Sequence, residues 1–206
     1  KAIFAFLGIE KNGIKINKNE FDKHYTPNKN FYSIQDDRIY THYNLVTTTR
    51  RPSNSFNGIN FAALKKETGE RSSFIPEHKF VEFDISAYHP NLASRLIGYD
   101  FKGIDVHKTF AELYGVSYDE SKQITFRQLY GGIYTKYEHI EYFQKIKTFI
   151  NNTWDDFNNN GRVIIPISGF YFEKDKLNDM NPQKLFNYIL QNLETSMNTL
   201  ILLDIH

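Results

Sequence analysis

The sequence predicts a mixed α/β (α+β) domain in which short strands are interleaved with longer helices. Three observations carry this reading. The run Arg38 to Thr49 alternates and is rich in aromatic and β-branched residues, which suits a half-buried strand. After Gly98, apolar residues recur at helical spacing between glycine stops. Between the two lies Val81 to Gly98, V-E-F-D-I-S-A-Y-H-P-N-L-A-S-R-L-I-G, where an apolar strand over Phe80–Phe83 runs into Asp84. A helix then starts at Pro90, with Leu92, Ala93, Leu96 and Ile97 on one face. A carboxylate at a strand end, facing a helix start, can hold a divalent cation among oxygen ligands. Taken alone, Asp84 is more simply a capping aspartate at a strand-to-helix turn.

The chain has 206 residues, enough for one large domain or two small ones, and its 40% hydrophobic share supports a core. A net charge of +1 means that any nucleic-acid binding must come from local placement of Lys and Arg. Cysteine is absent, which excludes a disulfide framework and a thiolate metal site. No apolar run is long enough to span a membrane. Beginning on Lys1 and ending on His206 within an apolar run, the chain reads as a piece of something longer.

In order, Ala2–Leu7 is an apolar run, Lys11-Asn12-Gly13 a turn, Ile14–Asn17 a strand and Asn19–His24 a helical turn. Thr26–Asp37 reads as loop and Gly69–Pro76 as a turn region. Asp105 caps a helix over Val106, Phe110, Leu113 and Tyr114 that Gly115 ends. The next helix starts at Asp119 or Ser121 and closes at Gly131-Gly132. Tyr137–Phe157 reads as a long amphipathic helix, and Val163–Ile167 with Phe170–Phe172 as a hairpin across Ser168-Gly169. Pro182 opens a last long helix.

Several separated stretches resemble the motifs of family A DNA polymerases, in the family's order. Asp84-Ile85-Ser86-Ala87-Tyr88-His89 resembles D-Y-S-Q-I-E, and Asp105-Val106-His107 resembles D-I-H. Lys122, Phe126, Tyr130 and Gly131 fall on K-x2-N-F-G-x-x-Y-G. Thr47-Thr48-Thr49-Arg50-Arg51-Pro52-Ser53, with Asn57-Gly58-Ile59-Asn60, resembles T-x-T-G-R-x-S followed by N-L-Q-N. Phe186-Asn187 and Gln191 resemble F-N-x-P-x-Q-G, and Ile9–Ile14 resembles a segment upstream of the polymerase domain. The departures mark a divergent branch, of phage or mobile-element type. The family's glutamate is His89, its arginine one turn before Lys122 is Tyr118, Asn and Gly of N-F-G are Thr125 and Arg127, and the Gly of T-G-R is Arg50. The helical thumb has almost no room, and the second catalytic acid is expected beyond His206.

The resemblance implies a right-hand polymerase palm with an antiparallel sheet and inserted helical fingers. Residues 1–40 would precede the palm, 41–104 form its first part, 105–158 the fingers, and 159–206 the return to the palm, truncated before the last catalytic motif. The implied activity is template-directed addition of deoxynucleotides to a primer 3′-end with two Mg²⁺ ions, in the (host) cytoplasm. Partners would be primer–template DNA, deoxynucleoside triphosphates and replication accessory proteins. Asp84 and the Ile85 carbonyl would hold metal, with Glu82 a weaker candidate. Lys122 would balance triphosphate charge and protonate the leaving pyrophosphate. Phe126 would lie along the sugar and base, Tyr130 would close the base-pair pocket, and His107 would reach phosphate oxygens. His89 occupies the place of a glutamate that blocks a ribose 2′-hydroxyl. Arg51, Asn57, Asn60, Asn187 and Gln191 would track the minor groove. From the residues alone, an amphipathic helix with Phe126 and Tyr130 in a core, a surface His107 and solvated loop polarity at Asn57 stay open. A non-catalytic nucleic-acid-binding relative is the alternative of another class.

Overall fold

A computed structural model describes residues 2–25, 33–55, 58–61, 64–65 and 67–205. The chain divides into two compact units: residues up to Asp84 with those from Met197 on, and Ile85–Ser196.

The first unit begins with helix α1 (Ala2–Asn12), where only an apolar run was expected, followed by strand β1 (Ile14–Lys15) and helix α2 (Lys18–Tyr25). Gly13 joins α1 to β1 at φ 56°, and a Cβ there would lie 2.9 Å from the Ile39 carbonyl oxygen, so only glycine fits. Strands β2 (Ser33–Gln35) and β3 (Arg38–Tyr40) form an antiparallel hairpin, and β1 pairs with the other edge of β3. The region read as a loop thus carries a strand. Its hairpin turns on Asp36 and Asp37, both at positive φ (51° and 56°), as a two-residue type I′ turn requires. The expected Arg38–Thr49 strand is broken: β4 (His42–Asn44) leaves β3 and pairs antiparallel with β5 (Ser53–Ser55). Ile16, Phe21, Ile39, Ile59 and Phe74 close the core of this unit.

The strand expected over Phe80–Phe83 is not formed. Residues 79–85 have no regular structure, and Phe80, Val81 and Phe83 are 61%, 65% and 76% exposed. A β-prone run becomes a strand only when a neighbour satisfies its backbone groups, and among the described residues none pairs with it.

In the second unit, α3 (Tyr88–Leu96) starts two residues before Pro90. Helix α4 (Val106–Tyr114) is capped as read: the Asp105 side chain accepts from the Lys108 N–H at 2.8 Å, and Gly115 ends the helix at φ 68°. Helix α5 (Tyr118–Gly131) is capped by Ser117 rather than by Asp119 or Ser121; Asp119 and Glu120 then sit in its first turn, where negative charge is favoured. Helix α6 (Glu141–Asn160) leads into a hairpin of β6 (Arg162–Ile164) and β7 (Tyr171–Glu173). The strands are shorter than expected because Pro166, which has no N–H, ends the ladder. The Ile165 N–H to Phe170 carbonyl bond (2.6 Å) then closes the turn. Helix α7 (Pro182–Ile205) starts at its proline, with the Asn181 side chain accepting from the Lys184 N–H at 2.8 Å. Buried Phe110, Tyr142 and Phe143 of α4 and α6 pack as an aromatic block, with Phe110 and Phe143 stacked at 5.5 Å. The Tyr142 hydroxyl donates to the Pro90 carbonyl at 2.9 Å, which ties α6 to α3.

Candidate functional site

The side chains that gather lie in the second unit, where α3, α5 and α7 meet around Tyr130. Lys122, Phe126 and Tyr130 follow one another at four-residue intervals along α5 and so share a face. The rings of Phe126 and Tyr130 stack at 5.7 Å, nearly parallel at 10°. Phe126 is 47% exposed, so this face is not a core face. At its end the Tyr130 hydroxyl is hydrogen-bonded to Nδ1 of His89, in the first turn of α3. Nε2 of His89 meets the Glu194 carboxylate of α7 at 3.1 Å. The neighbouring Tyr88 hydroxyl donates to the Glu194 carbonyl at 3.5 Å, and burial, with Glu194 adding to it, pushes its pKa up. Helix α7 also holds the end of α5. Gln183 donates to the Leu129 carbonyl, and the Asn187 amide donates to the Tyr130 carbonyl at 3.3 Å. Carbonyls in the last turn of a helix lack internal partners, so these side chains cap it.

Sequence reading missed Glu194 and Gln183, although their spacing held a signal. Residues 183, 187, 191 and 194 recur at intervals of four, four and three along α7, which is one helical stripe. Asn187, expected to face DNA, donates its amide to the Tyr130 carbonyl of α5 and accepts from Gln183 of its own helix, both at 3.3 Å. Gln191 is half-buried on the same stripe.

A second group forms where α4 and α5 begin. The His107 ring is buried rather than on the surface (4% exposed), and its Nδ1 has no hydrogen-bond partner among the described residues. Burial holds its pKa below the ordinary 6.5; Asp105 opposes this and Lys122 adds to it. Tyr118, at the place of the family's arginine, meets His107 edge-on and donates to Asp105 at 3.4 Å. The Lys122 ammonium sits 4.3 Å from the centre of the Tyr118 ring and pairs with Asp119 at 3.2 Å.

The remaining expected residues lie in the first unit or at its end. Arg51 and Asn60 are exposed, on the segments that flank β5. Arg50, where the family pattern has glycine, takes a left-handed φ of 62°, which accounts for a glycine at that place. Asn57 lies outside the described residues. Asp84 closes the first unit and Ile85 opens the second; both are exposed. Among the described residues no group of three or more His, Asp or Glu is arranged to hold a metal ion. One exposed carboxylate and a backbone carbonyl do not make up the ligand set that a pair of Mg²⁺ ions needs.

No protein-family model matches the chain, and no curated protein matches it by sequence. Among solved structures, the chain is similar to the POL domain of Pol1 from M. smegmatis, determined in complex with DNA primer-template and dNTP. The TM-score is 0.62 at 17% identity, over 82% of this chain and 37% of that one. At that identity the likeness is one of fold: mixed α/β, with helices and small antiparallel sheets, like a polymerase domain. No helix among the described residues is long and apolar enough to cross a membrane.

Proposed function

We propose that the chain is the palm-and-fingers part of a template-directed DNA polymerase of the family A type, acting on primer–template DNA and deoxynucleoside triphosphates. The observation that carries this reading is the half-exposed face of α5, with Lys122, Phe126 and Tyr130 in line, inside a fold similar to that of a polymerase domain. A stacked aromatic pair with a cation one turn away matches what a nucleotide presents: a base and sugar joined to a polyanion. Lys122 would meet the phosphates, Phe126 and Tyr130 the sugar and base. Arg51, Asn60 and Gln191 are the proposed DNA contacts, and Asn187 acts on DNA only through the end of α5 that it caps.

Asp84 and the Ile85 carbonyl are this segment's proposed contribution to a Mg²⁺ site. In nucleotidyl transfer, divalent ions offset charge on the attacking and leaving oxygens. The described residues do not complete such a site, and no chemical step through it is assigned to them. That observation favours a second reading, a non-catalytic relative that binds nucleic acid.

The experiment is template-directed incorporation by the full-length protein and its Asp84→Asn variant. Asparagine keeps size and hydrogen bonding but removes charge, so turnover should fall by roughly three orders of magnitude, the scale of losing a central electrostatic group. Primer–template affinity should hardly change. Wild-type turnover by the variant would remove Asp84 from the mechanism. Primer–template binding without incorporation by the wild type would establish the non-catalytic reading.

A further inference from the structure

The His89–Glu194 contact joins residues 105 positions apart in the chain, and nothing in the proposed chemistry yet uses Glu194. Its carboxylate, when ionised, can only accept hydrogen bonds. Whatever faces it at 3.1 Å must donate, so Nε2 of His89 carries a proton. In a neutral imidazole the other nitrogen is then bare. Nδ1 is the atom bonded to the Tyr130 hydroxyl, so that hydroxyl donates its single proton inward to His89. The direction of the Tyr130–His89 bond is then set from the His89 side. The side chains of His89 and Glu194 are 12% and 21% exposed, a setting in which such a bond is held more firmly than at an open surface.

We propose that Glu194 is a positioning residue for the nucleotide-facing surface: through His89 it fixes the direction of the Tyr130 hydrogen bond and keeps the Tyr130 ring stacked on Phe126. The chain Glu194–His89–Tyr130 runs from α7 through α3 to α5 and ends at a ring partnered by Phe126 at 5.7 Å. It sets which way the Tyr130 hydroxyl points at the end of the α5 face. Without Glu194 the imidazole can turn over or exchange tautomers. The Tyr130 hydroxyl would then lose its fixed direction, while the backbone ties of Gln183 and Asn187 to α5 would persist. The effect therefore belongs in ligand binding more than in folding. This inference rests on the reading of α5 as nucleotide-facing, and its test separates the two.

The first arm needs no activity. In the 15N-labelled 206-residue chain, long-range 1H–15N correlations report which nitrogen of His89 is protonated. The expected form is Nε2–H with a bare Nδ1. The opposite tautomer, or a ring protonated on both nitrogens, overturns the proposal. The second arm is nucleotide kinetics in the full-length protein. Glu194→Leu removes the acceptor and should raise KM for the incoming nucleotide about five- to tenfold, the scale of one hydrogen bond, with kcat within about twofold. Glu194→Gln restores an acceptor oxygen and should bring KM back to within about twofold of wild type. In a Tyr130→Phe background, Glu194→Leu should add nothing further, because the hydroxyl through which it acts is gone. An unchanged KM in Glu194→Leu, or fully additive effects with Tyr130→Phe, overturns the positioning role. If the wild type incorporates no nucleotide, the polymerase reading fails and takes the ligand part of this inference with it, while the tautomer arm still decides the Glu194–His89–Tyr130 arrangement. If Glu194→Leu fails to fold, the tautomer arm and Glu194→Gln still decide.

Discussion

Lys122 illustrates how little a surface ion pair fixes a residue's role. Its bond to Asp119 joins exposed side chains three residues apart, and such pairs are worth about 1 kcal/mol or less. In the proposed reading, an incoming triphosphate, with more charge and better-placed oxygens, captures the ammonium, while the Tyr118 ring keeps it near the face. Lys122→Ala should lower the single-turnover incorporation rate by roughly 100-fold, the lower range for a lost proton donor, and leave primer–template affinity within about threefold. An unchanged rate would make it an ordinary surface lysine. His107 leads to a prediction of a different kind, because its burial favours the neutral ring. The unfolded chain takes up that proton near pH 6.5, and the folded chain only at lower pH. Above pH 6.5 the residue costs nothing. As the pH falls below that, the unfolded state binds more protons, and stability declines until the folded ring also titrates. Urea midpoints at pH 8 and pH 5.5 should therefore differ more for the wild type than for His107→Asn. Equal pH sensitivity would mean that the ring is already solvated.

At the scale of elements, the second unit is held by rings rather than by strands. Phe110 is fully buried and stacks on Phe143, with Phe101 and Tyr142 edge-on to it. Phe110→Ala should destabilise the chain by about 3–5 kcal/mol, because the fused aromatic block cannot collapse into the space. A loss under about 1 kcal/mol, measured from urea midpoints, would show that α4 repacks. Local signals in this unit were legible in the sequence: Asp105 and Gly115 bound α4, Pro182 opens α7, and the period of α5 places Phe126 and Tyr130 together. What depends on a distant partner was not. The Phe80–Phe83 run has strand composition, but composition does not supply the neighbour that a ladder needs. The Asp36–Asp37 turn escaped because aspartate enters the left-handed region less readily than the Asn-Gly or Asp-Gly pairs that announce such turns. His89 was placed by resemblance, yet its partner Glu194 lies on another helix, and only the helical stripe it shares with Gln183 and Asn187 pointed toward it.

At the scale of the molecule, charge and carboxylate supply set what this chain can do by itself. Its net charge of +1 leaves no broad positive field, so the proposed DNA contact depends on a few local groups such as Arg51. Each phosphate neutralised releases counterions, and six to ten contacts cost roughly 10³–10⁵ in affinity between 50 and 200 mM salt. With fewer contacts here, the 206-residue chain should bind a labelled primer–template weakly and lose less than about 10³-fold over that range, as read by fluorescence anisotropy. The same preparation should not extend the primer at any Mg²⁺ concentration. Two-ion nucleotidyl transfer needs a set of carboxylates around the ions, and the described residues group no such set near Asp84 or elsewhere. Extension and binding therefore separate. Salt-sensitive binding without extension fits the proposed reading of a segment that binds DNA without completing the catalytic site. Robust extension would mean that a second acid of this chain, one not recognised in its sequence, reaches Asp84. Binding that ignores salt would mean that the contacts are not to phosphate, and would remove Arg51 from the proposed interface.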